Sequence, residues 1–138
     1  KRFDFKQITL FKEYETDLPD VMCKASEIQQ VFFNILSNGA QAMMASEKER
    51  DPAFTIRIYR VREFVVVEVR DNGPGMKEEI RKRIFEPFFT TKTVGEGTGL
   101  GLAVSYFIIT ENHKGTIEVH SAPGRGSTFV IKLPYHKL

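Results

Sequence analysis

The chain has 138 residues, enough for one well-packed domain and too few for two. Hydrophobic residues make up 41% of the sequence and charged residues 28%, as in an ordinary soluble domain. The formal net charge is +2, from 20 Lys and Arg against 18 Asp and Glu, so the basic excess of most nucleic-acid binders is absent. We therefore expect a single globular domain with no nucleic-acid partner.

The single cysteine, Cys23, cannot form an internal disulfide, which favours a reducing compartment such as the cytoplasm. We interpret Cys23 as a small apolar residue that enters the core, because no partner signature of a reactive thiol accompanies it. No apolar run approaches the roughly 20 residues of a membrane-spanning helix, and no secretory signal opens the chain. The first residue is Lys1 rather than Met, so we expect a piece of a longer protein, whose membrane anchoring the sequence leaves open.

A strand and a long amphipathic helix are the first predicted elements. Apolar and aromatic residues indicate a strand over residues 8–14, which Pro19 separates from the helix. Ser26-Glu27-Ile28-Gln29 has the spacing of a capping box, so the helix is predicted to begin at Ser26 and to end near Ser46. One helical face is apolar at three- and four-residue spacing, and it comprises Ile28, Val31, Phe32, Ile35, Leu36, Ala40 and Met43.

The rest of the chain alternates β-rich runs with two further helices. The predicted elements are, in order, strands over residues 54–61 and 64–69, a short helix over 77–85, a loop over 86–97, a helix from Thr98 or Gly99 to about His113, and strands over 116–121 and 127–133. This order predicts an α/β (α+β) two-layer sandwich. We expect a mixed, mostly antiparallel sheet of about five strands with about three helices on one face.

Three amide side chains, Gln30, Asn34 and Asn38, lie at i, i+4 and i+8 and so share one face of the first helix. Asn is unfavourable inside helices, and Gly39 after it costs about 1 kcal/mol more than Ala. An amide oxygen suits Mg²⁺, which completes its shell with water and phosphate oxygens. Taken alone, the stripe favours a solvated polar face over a metal site.

Asp71-Asn72-Gly73-Pro74-Gly75 forms a predicted bend between a strand and a helix. Asp-Asn-Gly suits an ordinary turn, because these residues tolerate left-handed backbone conformations. The second glycine is not needed for a turn, whereas paired glycines let a flat ligand approach the backbone closely. A fixed carboxylate at Asp71 could then accept a hydrogen bond from an exocyclic amine such as that of adenine.

A glycine-rich segment opens the second long helix with four alternating glycines, Gly95, Gly97, Gly99 and Gly101. Free backbone N–H groups and the positive end of a helix dipole make such a segment a phosphate site. The Walker and Rossmann patterns do not fit, since no Gly-Lys-Ser/Thr follows and no βαβ unit surrounds it. In the aromatic segment before it, Lys92 is interpreted either as a phosphate contact or as a solvated lysine.

Taken in order, four segments resemble the motifs of one family. They are Asn34-Ile35-Leu36-Ser37-Asn38-Gly39-Ala40 (asparagine box), Asp71-Asn72-Gly73-Pro74-Gly75 (first glycine box), Phe85-Glu86-Pro87-Phe88 (phenylalanine box) and Gly97-Thr98-Gly99-Leu100-Gly101-Leu102 (second glycine box). The family is the catalytic ATP-binding domain of bacterial sensor histidine kinases, which has the Bergerat fold. Its superfamily also holds gyrase, the heat-shock chaperone ATPase and mismatch-repair ATPases.

The resemblance implies one ATP-binding catalytic domain over residues 1–138, with a mobile ATP lid at about residues 85–97. Asp71 would bind the adenine amino group, with Thr128 nearby through water. Asn38 would hold Mg²⁺ through its side-chain oxygen, and Asn34 and Lys92 would act with it in catalysis at the phosphates. The other implied ATP contacts are Ala42, Gly73, Gly75, Met76, Ile80, Phe89, Gly97, Thr98, Gly99, Leu100, Gly101 and Leu102.

Asn34 stands where hydrolysing members of the superfamily carry a water-activating glutamate. An amide cannot act as a general base near neutral pH, which favours phosphoryl transfer to a protein side chain. The resemblance therefore implies a histidine kinase catalytic domain that phosphorylates a histidine on a separate dimerisation domain of the same protein, in cis or in trans, with a response regulator downstream.

No such acceptor domain is recognisable in this sequence, and the three histidines are interpreted as structural or surface residues: His113 at a helix end, His120 in a strand and His136 in the tail. We expect this chain to be monomeric and without useful autokinase activity. A self-contained ATPase, a serine/threonine protein kinase of the same superfamily and a binding module that has lost nucleotide stay as alternatives.

Overall fold

A five-stranded sheet forms one layer of the protein. The computed structural model describes residues 7–46, 51–90 and 99–135. Its strands are β1 (Thr9–Tyr14), β2 (Ala53–Val61), β3 (Phe64–Asp71), β4 (Thr116–Ser121) and β5 (Ser127–Pro134). They lie in the order β1-β2-β3-β5-β4, with β1 parallel to β2 and the other neighbours antiparallel. The predicted mixed, mostly antiparallel sheet is confirmed.

Helices α1 (Ala25–Ala45), α2 (Glu78–Arg81) and α3 (Gly101–Phe107) form the second layer, and α3 continues as a π-helical turn over Ile108–Asn112. One apolar cluster joins the two layers. Its fully buried members include Val31, Ile35 and Ile109 from the helices and Phe129 and Ile131 from the sheet. Burial of each such side chain contributes about 1.5–3 kcal/mol, so this core fixes α1 and α3 against the sheet.

The start of α1 differs from the prediction. The helix begins at Ala25 after Lys24, no side chain caps it, and Ser26 is exposed, so the predicted capping box is wrong. A tertiary contact holds this end instead: the backbone N–H of Lys24 donates to His113 Nε2 at 3.1 Å. The Nδ1 of the same ring lies 2.9 Å from the carbonyl oxygen of Ile108, which confirms a structural role for His113 at a helix end.

Two other helix boundaries also differ. The α-helical part of the predicted helix over residues 77–85 is only the four residues of α2, and turns follow it. Helix α3 begins at Gly101 because Gly99 has a φ of +74°, which a right-handed helix does not accommodate. Cys23 is exposed in the irregular segment before α1, so its predicted place in the core is wrong.

No helix in residues 7–46, 51–90 or 99–135 is long and apolar enough to cross a membrane. The described part of the predicted lid consists of turns up to Phe88 and ends at Thr90.

Candidate functional site

Asp71 at the end of β3 is, with Ser105 and Ser127, one of three buried polar or charged residues in the described ranges, and 5% of its surface is exposed. Its Oδ1 accepts hydrogen bonds from the backbone N–H groups of Gly73 at 2.9 Å and Ser127 at 3.3 Å. Burial raises the pKa of the Asp71 carboxyl above its ordinary value, and the two N–H groups partly offset this rise. Because the protein already holds Oδ1, the other oxygen, Oδ2, is the one available to a ligand.

Gly39 on α1 keeps the space beside that second oxygen open. A Cβ atom at this position would lie 3.2 Å from Oδ2 of Asp71 and only 2.7 Å from Cε1 of Phe54. A larger residue would therefore displace the Phe54 ring and crowd the carboxylate. Close packing against Phe54 and Asp71 therefore explains why a glycine follows Asn38, although glycine destabilises a helix.

The bend after β3 is docked on the turn between β4 and β5. Gly75 has a φ of +74°, and a Cβ there would lie 2.0 Å from the carbonyl oxygen of Ala122, so only glycine fits. The backbone N–H of Met76 donates to Ser121 Oγ at 2.9 Å, and that of Gly124 donates to the carbonyl oxygen of Pro74 at 2.7 Å. Tertiary contacts therefore fix the first glycine segment beside the carboxylate.

The register of β5 decides which residue accompanies Asp71. Ser127 pairs with Asp71, and its Oγ lies 2.9 Å from Ser121 Oγ. Thr128 pairs with Arg70 and, because strand side chains alternate, faces the other side of the sheet, where it lines a shallow surface pocket. The predicted place of Thr128 beside Asp71 is therefore wrong, and Ser127 lies there instead.

The amide stripe on α1 reaches the start of α3. Asn34 Nδ2 donates to the carbonyl oxygen of Gly101 at 2.9 Å and to Ser105 Oγ at 3.1 Å. Asn34 Oδ1 accepts a hydrogen bond from Gln30 Nε2 at 2.9 Å. Asn38, one turn further on, makes no side-chain hydrogen bond to another residue in the described part of the chain. Its amide oxygen is thus available to a ligand.

The described end of the glycine-rich segment, at Gly99, contacts Phe88. The backbone N–H of Phe88 donates to the carbonyl oxygen of Gly99 at 2.7 Å, and Phe88 has a φ of +67°. A Cβ at Gly99 would lie 2.5 Å from the carbonyl carbon of Phe88, so the two backbones are in close contact. The predicted contacts Lys92, Gly97 and Thr98 lie outside the described residues and stay predictions.

The other described residues among the predicted ATP contacts lie on the three helices or in the segments next to them. Ala42 lies on α1 one turn after Asn38, and Met76 and Leu102 are partly buried against the core. Ile80 is half-buried on α2. The Phe89 ring lies under the Arg83 guanidinium, 4.5 Å from carbon to ring centroid, and Leu100 is exposed before α3.

Helix α1 joins the two centres, since Gly39 lies against Asp71 and Asn34 against Gly101. These helix positions are separated by about 8 Å along the axis. After their predicted roles, we call the surroundings of Asp71, Ser127 and Gly75 the base end and those of Asn34, Asn38 and Gly101 the phosphate end. Within the described ranges, no group of three or more His, Cys, Asp or Glu residues could hold a metal ion.

Comparison with known proteins identifies the class to which this arrangement belongs. Residues 23–137 match the family described as histidine kinase-, DNA gyrase B-, and HSP90-like ATPase, and the chain belongs to this family. It is 42% identical over 118 residues to sporulation kinase E of Bacillus subtilis (strain 168). It is 38% identical over 128 residues to the signal transduction histidine-protein kinase AtoS of Escherichia coli (strain K12).

These matches cover 86% and 93% of this chain but only 15% and 20% of the two relatives. Among solved structures, the nucleotide-free catalytic domain of histidine kinase ThkA matches with a TM-score of 0.78 and 31% identity, over 94% of this chain and 80% of that one. Full-length ShkA in complex with AMPPNP matches with a TM-score of 0.78 and 25% identity, over 96% of this chain and 27% of that one. The predicted fold is confirmed, and the chain is a catalytic ATP-binding domain of the sensor histidine kinase type.

Proposed function

We propose that this domain binds ATP with Mg²⁺ between the base end and the phosphate end and donates the γ-phosphoryl group to a histidine on a separate dimerisation domain. The observation that carries the proposal is the buried carboxylate of Asp71. A buried charge is costly unless it has partners, and here one oxygen is held by two N–H groups while the other faces the space over Gly39. We expect Oδ2 to accept a hydrogen bond from the adenine amine, with Ser127 beside it.

At the phosphate end, Asn38 is the residue we assign to Mg²⁺. Its side-chain oxygen has no hydrogen-bond partner among the described residues, and Mg²⁺ commonly takes one or two protein ligands together with water and phosphate oxygens. When bound, the metal would neutralise phosphate charge. The backbone of the second glycine box would cradle the phosphates, with Lys92, Gly97 and Thr98 as further predicted contacts.

The side chain of Asn34 supports transfer to a protein rather than hydrolysis. Its nitrogen donates to Gly101 and Ser105, and an amide cannot remove a proton from water near neutral pH. Phosphoryl transfer depends mainly on positioning and charge neutralisation, so the domain needs no nucleophile of its own. The alternatives of a self-contained ATPase or a serine/threonine kinase would require a base that Asn34 does not supply.

An apolar stripe next to the phosphate end supports docking of the acceptor domain. Leu100, Val104 and Phe107 lie at i, i+4 and i+7, and all three are exposed. Phe88, which is 73% exposed, lies next to this helix start through its contact with Gly99. We assign the stripe to the helical, histidine-bearing domain because an amphipathic helix presents a matching apolar face. A response regulator is the proposed downstream partner, since a similar structure, with a TM-score of 0.74 and 27% identity, is histidine kinase ThkA in complex with response regulator TrrA.

The proposal is tested with radiolabelled ATP, Mg²⁺ and the purified dimerisation domain of the full-length protein. We expect acid-labile phosphate on that domain, no label on the isolated chain, and phosphate release at the background rate. The change Val104→Glu should lower transfer at least tenfold and leave ATP affinity unchanged, because it alters only the docking stripe. Rapid phosphate release by the isolated chain would support the ATPase alternative instead, and a folded chain that binds no ATP would support a binding module without nucleotide.

A further inference from the structure

Ser105 on α3 is fully buried, with 0% of its surface exposed, and the proposed function gives it no role. Its hydroxyl donates to the carbonyl oxygen of Gly101 at 3.0 Å, four residues earlier in the same helix. Its oxygen also accepts a hydrogen bond from Asn34 Nδ2 at 3.1 Å. The serine is therefore a fixed acceptor that α3 presents to the amide stripe of α1.

These contacts determine which way the Asn34 amide faces. The carbonyl oxygen of Gly101 can only accept hydrogen bonds, and the hydroxyl hydrogen of Ser105 is already donated to it. Both groups therefore require the nitrogen of Asn34 on the α3 side. A rotated amide would place its oxygen against two acceptors, so Oδ1 of Asn34 is turned away from α3.

Gln30 is the present partner of that oxygen. Its Nε2 donates to Asn34 Oδ1 at 2.9 Å, and Gln30 itself is exposed on the first half of α1. An exposed side chain loses rotamer freedom in such a contact and keeps water as an alternative partner, so the bond is easily exchanged. The contacts of Asn34 with α3 are partly buried and have no such alternative.

We propose that Ser105 is a positioning residue that presents Oδ1 of Asn34 to the Mg²⁺-nucleotide, while Gln30 occupies the same oxygen when nucleotide is absent. The inference rests on the proposed function. Asn34 and Asn38 are one helical turn apart on one face, about 6 Å along the axis. If Asn38 holds Mg²⁺, Oδ1 of Asn34 would accept a hydrogen bond from the hydrated ion. Ser105 acts only through Asn34 and touches no reacting atom.

A purely structural serine and a positioning serine differ in a measurable quantity, the gain in nucleotide affinity that Mg²⁺ confers. The gain is the ratio of the dissociation constants of AMPPNP in EDTA and in Mg²⁺, measured by calorimetry. We expect Ser105→Ala to lower this ratio by about three- to tenfold, as loss of one hydrogen bond implies, with the constant in EDTA unchanged within twofold. Ser105→Cys keeps the shape of the side chain, with a larger atom in place of the oxygen, but is a poor acceptor, and it should lower the ratio similarly.

Gln30→Ala gives the contrasting variant at the other side of the same amide. It removes the competitor for Oδ1, so the gain from Mg²⁺ should stay the same or rise by about twofold. The side-chain amide resonance of Asn34 should shift in all three variants, which reports the contact even in a variant of altered stability.

The outcomes separate the inference from the proposed function. Wild-type protein that is folded and binds no AMPPNP would overturn both. Wild-type protein that gains affinity from Mg²⁺, with the same gain in Ser105→Ala and Ser105→Cys, would overturn the inference alone. A gain that falls equally in Gln30→Ala and Ser105→Ala would also overturn it, since the two residues would then merely stabilise α1 against α3.

Discussion

The base end and the phosphate end of the site are built in different ways. At the base end, backbone groups of Gly73 and Ser127 hold Asp71, and the bend itself is fixed by contacts of Gly75 with another turn. At the phosphate end, Gly101 and Ser105 hold Asn34 from the α3 side, and an exposed hydrogen bond from Gln30 holds it from the other side. The proposed contact with the base is therefore preformed, whereas the proposed phosphate end contains an exposed hydrogen bond that a nucleotide would replace.

The largest expected effect tests the rigidity of the base end. Gly75→Ala should lower the free energy of unfolding by about 3 kcal/mol or more, because it adds left-handed strain and a Cβ placed 2.0 Å from the carbonyl oxygen of Ala122. Urea denaturation measures this loss. Gly101→Ala is the matched control: its Cβ would meet Asn34 at 3.5 Å, so its stability should change by less than about 1 kcal/mol. Equal losses of stability in both variants would contradict the conclusion that the bend at Gly75 is the more tightly fixed part of the site.

The next effect separates binding from stability. Asp71→Asn replaces a carboxylate acceptor with an amide and should weaken ATP binding by about ten- to a hundredfold, as expected for a hydrogen bond to a charged group. The free energy of unfolding at pH 7 should stay the same or increase, because the amide avoids the desolvation that burdens the buried charge. Calorimetry and urea denaturation test the two halves. A variant that loses stability as well as affinity would show that Asp71 is mainly structural.

Ionisation of Asp71 should change the stability of the domain and its ATP affinity in opposite directions. Burial raises the pKa of Asp71 in the folded state, so the protonated form is favoured by folding, and its stabilising contribution is lost as the pH rises from the ordinary value of 3.8 through the raised value. ATP affinity should rise over that same window, because the adenine amine requires the ionised carboxylate. Thermal denaturation and calorimetry across this acidic range should therefore give opposite slopes. Asp71→Asn should remove the pH-dependent change from both the stability profile and the affinity profile. If the change persists in this variant, groups other than Asp71 cause it.

The smallest expected effect concerns the support of the base end. Ser121→Ala removes the acceptor of the Met76 N–H group and should weaken ATP binding by about two- to fivefold. Tripolyphosphate, which lacks a base, should bind the variant as it binds wild-type protein. Equal weakening for both ligands would mean that the two ends are not independent.

Much of the fold follows from patterns within single elements. The apolar period of α1, the alternation in the strands and the glycine-rich turns predict the sheet and its helices, because each signal is local. The start of α1 could not be predicted in this way, since a tertiary contact from His113 rather than Ser26 secures it. The sequence also does not indicate that Ser127 rather than Thr128 lies beside Asp71, because the register of β5 against β3 is a property of the assembled sheet.

In the candidate site, too, some features follow from local sequence and others only from the assembled fold. The chemical identities of Asp71 and of the amide stripe can be predicted from residue type and spacing. The contact of Ser105 cannot be predicted in this way, because its hydroxyl meets Asn34 only when α3 packs on α1. The space beside Asp71 likewise depends on Gly39, whose neighbour Phe54 belongs to a distant strand.

The most direct test of the account is a calorimetric titration of this chain with AMPPNP and Mg²⁺, carried out side by side on wild-type protein and Asp71→Asn. We expect one nucleotide per chain, a dissociation constant on the order of micromolar, which corresponds to about 8 kcal/mol, and a loss of most of that affinity in the variant. Folded wild-type protein that binds no AMPPNP, or binds it equally well without the carboxylate, would contradict the assignment of the nucleotide site.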